Sequence, residues 1–258
     1  MASSDRTIVL ITGGNSGIGF ETVAALLKAS ANYHVIMAAR SIEKAQKAVD
    51  EIKSLHGDAL KGEVSLVRID VTDIESVRAA RQDVKSRFGR VDVLINNAGI
   101  IVTRECDTLT NLRETFETNA FGPAIVTEIF EPLLKKSSRP KIIYVSSGQG
   151  SMTLKLDPAN PHRLLRGDFY RMSKSALNML ATSHRVHFAE WGCRVTAFDP
   201  GFCVSNLTGP EGRKMRIKNG ARDPAEPARE LVRIIEGKRD ADWDKCGMMD
   251  VDGGISPW

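Results

Sequence analysis

Tyr170 and Lys174 stand four residues apart in Tyr170-Arg-Met-Ser-Lys174, within Tyr170–Trp191, a stretch whose spacing predicts a long helix. Positions i and i+4 of a helix share a face, so a phenol and an ammonium meet there. A free phenol titrates near about 10 and is a poor acid or base at neutral pH, but a neighbouring cation favours its ionised form. The pair therefore predicts proton transfer. Of the three tyrosines, Tyr33, Tyr144 and Tyr170, only the last has a lysine four residues on. A second constellation is Thr12-Gly13-Gly14-Asn15-Ser16-Gly17-Ile18-Gly19, between a β-branched run and an amphipathic one. Glycines here allow positive φ and close approach of backbone to a pyrophosphate, and the next helix offers free N–H groups. About 20 residues beyond such a turn, an Asp or Glu would bind the ribose 2′-hydroxyl of NAD, whereas an Arg accommodates a 2′-phosphate. This chain has Arg40-Ser41 there, which predicts NADP; the alternative for Arg40 is a solvated helix-start residue.

The elements that must hold these residues alternate along the chain. Thr7–Thr12, His34–Ala38, Val64–Ile69, Val91–Ile95, Lys141–Val145, Arg194–Phe198 and Gly247–Val251 read as strands. Between them lie helical patterns over Ile18–Lys28, at Ile42, Ala45, Val49, Ile52 and Leu55, at Ile74, Val77, Val84 and Phe88, and within Leu109–Leu134. Thr72-Asp-Ile-Glu75 reads as a capping box, and Asp223-Pro224-Ala-Glu226 as a helix start with Pro in the first helical position. Such alternation predicts an α/β fold: one Rossmann-like doubly wound domain over residues 1–258, with a mainly parallel seven-stranded sheet. Two long loops, about Gly148–Phe169 and Phe202–Arg222, leave the carboxyl ends of strands, where ligands bind.

Three more strings follow in order: Asn96-Asn97-Ala98-Gly99, Ser146-Ser147 and the Tyr170–Lys174 run. Together with the glycine turn they resemble the short-chain dehydrogenase/reductase family over nearly the whole chain. The resemblance implies NADPH-dependent reduction of a ketone or aldehyde, with Tyr170 as proton donor and Lys174 lowering its pKa and binding the nicotinamide ribose. It makes Ser147 the hydroxyl that polarises the substrate oxygen, with Ser146 as the competing assignment. It makes Asn119 the holder of a water that links Lys174 to solvent. Asp70 and Val71 are implied adenine contacts, although Asp70 could instead be only a cap before Thr72. Asn97, Ala98 and Gly99 would lie beside the nicotinamide ribose. Pro200, Gly201, Cys203 and Ser205 match the segment that locks the carboxamide. Two residues depart from the family there. Cys203 stands where Val or Ile is common, and reads as a small hydrophobe or else a reactive thiol. Ser205 stands where Thr is common, and keeps the hydroxyl. The implied cofactor-binding set is thus Gly13, Asn15, Ser16, Gly17, Ile18, Gly19, Arg40, Ser41, Asp70, Val71 and these later residues with Tyr170 and Lys174. The segment Ser151–Asp168 lengthens the distance from Ser147 to Tyr170, as in the carbonyl-reductase-like branch. There a longer insertion covers the helix face used for tetramers, which leaves a homo-oligomer open.

Composition bounds the rest. The 258 residues carry 36 Lys plus Arg against 32 Asp plus Glu, a net charge of +4 without a basic tail, which gives no support to nucleic-acid binding. No stretch approaches the roughly 20 apolar residues of a membrane span. Cys106, Cys193, Cys203 and Cys246 form no CxxC pair, so a reducing cytoplasmic compartment is expected. No metal is expected: His184 and His187 lack a third ligand, and read as a surface or core pair. Arg213, Lys214, Arg216 and Lys218 form a basic cluster that reads as a solvated lid edge, or else meets an acidic substrate. Met152, Leu154, Leu156, Leu164 and Leu165 suggest an apolar small-molecule carbonyl or alcohol substrate. Two alternatives to the reductase stay open: an NAD(P)-dependent alcohol dehydrogenase working oxidatively, and a non-catalytic NADP-binding sensor.

Overall fold

A computed structural model describes residues 6–258. The chain begins with β1 (Thr7–Thr12), α1 (Gly17–Ala29), β2 (Tyr33–Ala39), α2 (Ile42–His56), β3 (Glu63–Arg68) and α3 (Ile74–Phe88). It continues through β4 (Val93–Asn96), α4 (Thr108–Phe116), α5 (Gly122–Leu134) and β5 (Lys141–Val145). The last part holds α6 (Met152–Leu156), α7 (Asp168–His187), β6 (Arg194–Asp199), α8 (Gly209–Lys218), α9 (Ala225–Ile235), β7 (Met248–Asp250) and β8 (Ile255–Ser256). The sheet order is β3-β2-β1-β4-β5-β6-β7-β8, parallel throughout except for the antiparallel β7–β8 pair.

The period of two along a strand splits β1 between two cores. Val9 and Ile11 join Val23, Leu26 and Leu27 of α1, Ile52 of α2 and Leu231 of α9 on one face. Ile8 and Leu10 join Val84 of α3, Phe130 and Leu134 of α5 and Leu177 of α7 on the other. Both faces are covered, which is why the strands read as apolar runs. The chain winds outward from β1 to β3, then crosses to β4 on the other side of β1. That reversal opens a crevice at the carboxyl ends of β1 and β4.

Six details differ from the sequence expectation. The sheet has an eighth strand: Gly253, at φ +83°, turns the chain back and Asp250 accepts the amide of Gly254. The capping box at Thr72 is not formed. Asp73 caps α3 by accepting from the amides of Glu75 and Ser76, while the Thr72 hydroxyl donates to Asp70. A carboxylate one residue nearer the helix out-competes the hydroxyl. Pro224 caps α9 rather than opening it, and Asp223 accepts from the amide of Ala225. The long helical run ending at Leu134 is interrupted by a π turn over Glu117–Phe121. Both long loops contain helices, α6 and α8. His184 and His187 do not share one environment: His184 is half-buried, with its Nδ1 hydrogen-bonded to the buried Tyr144 hydroxyl at 2.6 Å, whereas His187 is exposed. Among the described residues no helix is long and apolar enough to cross a membrane.

Candidate active site

A cavity of about 1000 Å³ occupies the crevice, and its wall begins at the glycine turn after β1. Gly13 and Gly17 adopt φ of +65° and +55°, the left-handed region that favours glycine. Ser16 caps α1 from an extended conformation and uses no side-chain hydrogen bond to do so. Gly13, Asn15, Ser16, Gly17 and Ile18 line the cavity. Gly19 does not: a Cβ there would lie 2.4 Å from the carbonyl oxygen of Gly13 and 2.6 Å from Nδ2 of Asn97. Its role is close packing of helix on turn. Asn97 completes the clamp, its side-chain amide donating to Thr12 O at 2.9 Å and Gly13 O at 3.2 Å, while the Thr12 hydroxyl accepts from the amides of Asn97 and Ala98.

At the end of β2 the wall is formed by Arg40, Ser41 and Lys44. Ser41 caps α2 through the amide of Lys44 and donates to Glu43, which leaves both basic side chains on the cavity edge. Lys44 was not singled out from the sequence; its signal is a second cation one turn after Arg40. Asp70 and Val71 line the same region, with Asp70 also accepting the Thr72 amide and hydroxyl. Asp70 thus holds the turn at Thr72 while lining the cavity.

The other end of the cavity is built by β5, α7 and β6. Gly150 lets the turn after β5 rest on α7, because a Cβ there would come within 2.8 Å of Lys174 Cβ. Ser175 of α7 donates to Gly150 O at 2.7 Å. Ser147 and Tyr170 both line this end of the cavity, where the Ser147 hydroxyl favours the ionised phenol and accepts from the Gln149 amide at 3.1 Å. Ser146 instead is buried and donates to Asn178 Oδ1 inside α7. Lys174, 4% exposed, donates to Val145 O at 2.9 Å, and its nitrogen stands 5.7 Å from the centre of the Tyr170 ring. Gly99 lies beside that ammonium, with 3.7 Å between Nζ and the place of a Cβ.

Asn119 lies behind the cavity wall in the π turn and is fully buried. Its Oδ1 accepts from Ile100 N at 2.8 Å, and its Nδ2 donates to Ile100 O and Ser173 Oγ. The side chain ties the segment after β4 to α7, and its Oδ1 and Lys174 Nζ flank one point beside Gly99, 3.4 and 3.7 Å from the place of a Cβ.

Burial dominates the electrostatics of Tyr170 and Lys174 in the nucleotide-free protein. Desolvation pushes the Tyr170 phenol up to about 12, against the hydrogen bond from Ser147 and the positive charge of Arg216, with Asp199 adding to the rise. Desolvation also brings Lys174 down to about 8. Both groups lose water in one wall, and the charges acting on the phenol are those of Arg216 and Asp199. Asp199 is raised by burial, opposed by the amides of Gly201 and Gly148 that hold it, the former at 3.0 Å. Asp199 and Arg216 are further cavity residues missed as site candidates. The first directly precedes Pro200-Gly201, and the second was grouped with its solvated neighbours.

Pro200, Gly201, Cys203 and Ser205 also line the cavity. The Cys203 thiol is buried against Pro200 O, and burial raises it to about 12, so it packs as a small hydrophobe. Ser205 Oγ is buried with no hydrogen-bond partner, an open position on the wall.

The sequence pattern of short chain dehydrogenases matches residues 7–216. The chain belongs to the short-chain dehydrogenase family. This short-chain dehydrogenase is 39% identical over 238 residues to the short-chain dehydrogenase anuI of Penicillium roqueforti, covering 89% of this chain and 91% of that protein. It is 33% identical over 276 residues to the short-chain dehydrogenase/reductase tropE of Talaromyces stipitatus, covering 100% of both. Among solved structures it resembles the NADPH-bound carbonyl reductase from chicken fatty liver, with a TM-score of 0.78, 26% identity and coverage of 98% of this chain and 100% of that one. The family is one of oxidoreductases, and the short-chain dehydrogenase shares its Rossmann-like architecture.

Proposed function

We propose that this short-chain dehydrogenase is an NADP(H)-dependent reductase of ketones or aldehydes. The observation that carries this reading is that Ser147, Tyr170 and Lys174 line one cavity with the glycine turn, Lys174 Nζ standing 5.7 Å from the centre of the Tyr170 ring. The residues present fit the dinucleotide. Gly13 and Gly17 leave backbone free for a pyrophosphate, Ser205 Oγ is a buried hydroxyl in want of a partner, and Arg40 and Lys44 supply charge for a 2′-phosphate. Likeness to an NADPH-bound carbonyl reductase supports the same reading.

Bound NADPH would supply a hydride to the carbonyl carbon. Ser147 and Tyr170 would donate hydrogen bonds to the carbonyl oxygen, and Tyr170 would pass it a proton as it becomes an alkoxide. A phenol held near 12 keeps its proton at neutral pH, so giving that proton up requires neighbouring charge to offset the phenolate. The Lys174 ammonium, held near 8, keeps its charge at pH 7 and would stabilise the phenolate left behind. Asn119 would act by positioning, since it fixes Ile100 and Ser173 around that lysine.

Of the apolar residues in the insertion, Leu154 and Leu165 line the cavity, whereas Met152, Leu156 and Leu164 are largely exposed and face away from it. With Phe202 and Ile101 they supply an apolar wall for the substrate. A panel of aldehydes and ketones with NADPH and NADH tests the proposal. Oxidation of NADPH in preference to NADH, lost by 10²-fold or more (roughly the contribution of a general acid) in Tyr170→Phe while NADPH still quenches protein fluorescence, is the expected result. Undiminished turnover in that variant would remove the mechanism.

A further inference from the structure

Helix α8 carries four cations, of which Arg213, Lys214 and Lys218 are exposed and Lys214 pairs with Glu211. Arg216 is different. It is half-buried and lines the cavity, where Nη1 donates to Cys203 O at 3.1 Å and the guanidinium carbon lies 5.3 Å from the centre of the Phe202 ring. Among the described residues it has no carboxylate partner, whereas Arg222, beside the same segment, is paired with Asp252 and Glu226. One backbone carbonyl uses one of five guanidinium N–H donors.

The surroundings sharpen what those free donors would meet. Arg166 and His162 of the insertion add further basic groups at the cavity rim. Asp199, the carboxylate on this side, is engaged by the amides of Gly201 and Gly148. The 2′-phosphate edge at Arg40 and Lys44 follows β2, and Arg216 follows β6, with β1, β4 and β5 between them. Arg216 is close enough to Tyr170 for its charge to act on the phenol.

We infer that the substrate of this reductase carries a carboxylate on an apolar, preferably aromatic, body, and that Arg216 binds that carboxylate while Phe202 packs against the body. The inference rests on the reductase reading and adds the substrate class. A planar guanidinium with two adjacent free N–H groups matches a carboxylate in a two-point contact, and a half-buried site strengthens it relative to water.

The test compares 3- and 4-formylbenzoate with the corresponding methylbenzaldehydes, using NADPH and the full-length protein. At least one formylbenzoate should show a kcat/KM tenfold or more above its methyl counterpart, carried mainly by KM. Arg216→Leu should reduce that ratio at least tenfold, and Arg216→Lys should restore part of it. Calorimetry with NADP-loaded protein provides a readout without turnover: 4-(hydroxymethyl)benzoate should bind and 4-methylbenzyl alcohol should bind at least tenfold more weakly. Equal kcat/KM for both members of each pair in the wild type would overturn the carboxylate site and leave the reductase standing. So would an unchanged ratio in Arg216→Leu, or a rise in KM for NADPH alone. Carboxylate-selective binding with no oxidation of NADPH by any aldehyde would retain the site and reject the reductase reading.

Discussion

The Lys174 ammonium donates to the carbonyl oxygen of Val145 at 2.9 Å, and its nitrogen lies 5.7 Å from the centre of the Tyr170 ring rather than on the phenol oxygen. The lysine is thereby fastened to the end of β5, the strand that also leads into Ser147. Burial at that position lowers its affinity for a proton, and the same burial raises that of the phenol. An acid that stays protonated and a cation close to losing its charge make pH the most direct probe of the site.

Activity should fall above about pH 8, the value to which Lys174 is lowered, as the cation that would stabilise the phenolate disappears. The descending limb of kcat/KM against pH measures this. Stability should move the other way. Lys174 has a folded-state pKa below its ordinary 10.5, so between about 8 and 10.5 the unfolded chain binds more protons and stability from this group rises with pH. Relative to Lys174→Met, the nucleotide-free protein should gain on the order of 3 kcal/mol across that window in urea unfolding. A flat difference would show that the ammonium is not desolvated.

The two adjacent serines should separate cleanly. Ser147→Ala removes a hydroxyl that lines the cavity with Tyr170 and should cost about 10²-fold in kcat. Ser146→Ala removes a buried bond to Asn178 and should lower the urea midpoint more than it lowers kcat. A kcat loss confined to the Ser146 variant would reverse the assignment.

Arg40→Ala and Lys44→Ala should each lower the preference for NADPH over NADH, measured as the ratio of kcat/KM values. A charge-assisted hydrogen bond is worth about 1.5–3 kcal/mol, so Arg40→Ala should cost roughly 10–100-fold. An unaltered ratio in the double variant would mean that neither side chain reads the 2′-phosphate.

Gly19→Ala should destabilise the protein by about 1–3 kcal/mol, because its Cβ has no room against Gly13 O and Asn97 Nδ2. At this chain length the thermal midpoint should drop by roughly 2–4 °C per kcal/mol. Retained thermal stability would mean that the turn yields without cost.

Much of the architecture was legible because strands buried on both faces read as β-branched runs and the helices as amphipathic intervals. The glycine turn, Arg40-Ser41 and the Tyr170–Lys174 spacing were legible for a local reason: each is set by neighbours within a turn or a strand end. Less legible were features decided by competition between near neighbours. Asp73 displaced Thr72 as a cap, and the π turn at Asn119 is closed by bonds to Ile100 and Ser173, far apart in sequence.

By itself the sequence determined the alternating α/β plan, the phosphate turn and the pairing of a tyrosine with a lysine one helical turn away. Only the tertiary structure decided that the Ser146 hydroxyl is spent on Asn178, that Asn119 and Gly19 stand behind the cavity wall, that Lys44, Asp199 and Arg216 belong to it, and that burial raises Tyr170 in the nucleotide-free protein. The division has one physical cause. Hydrophobic period and helical spacing are local properties of the chain, whereas solvent exclusion, and with it the charge state of a buried group, depends on every segment packed around it.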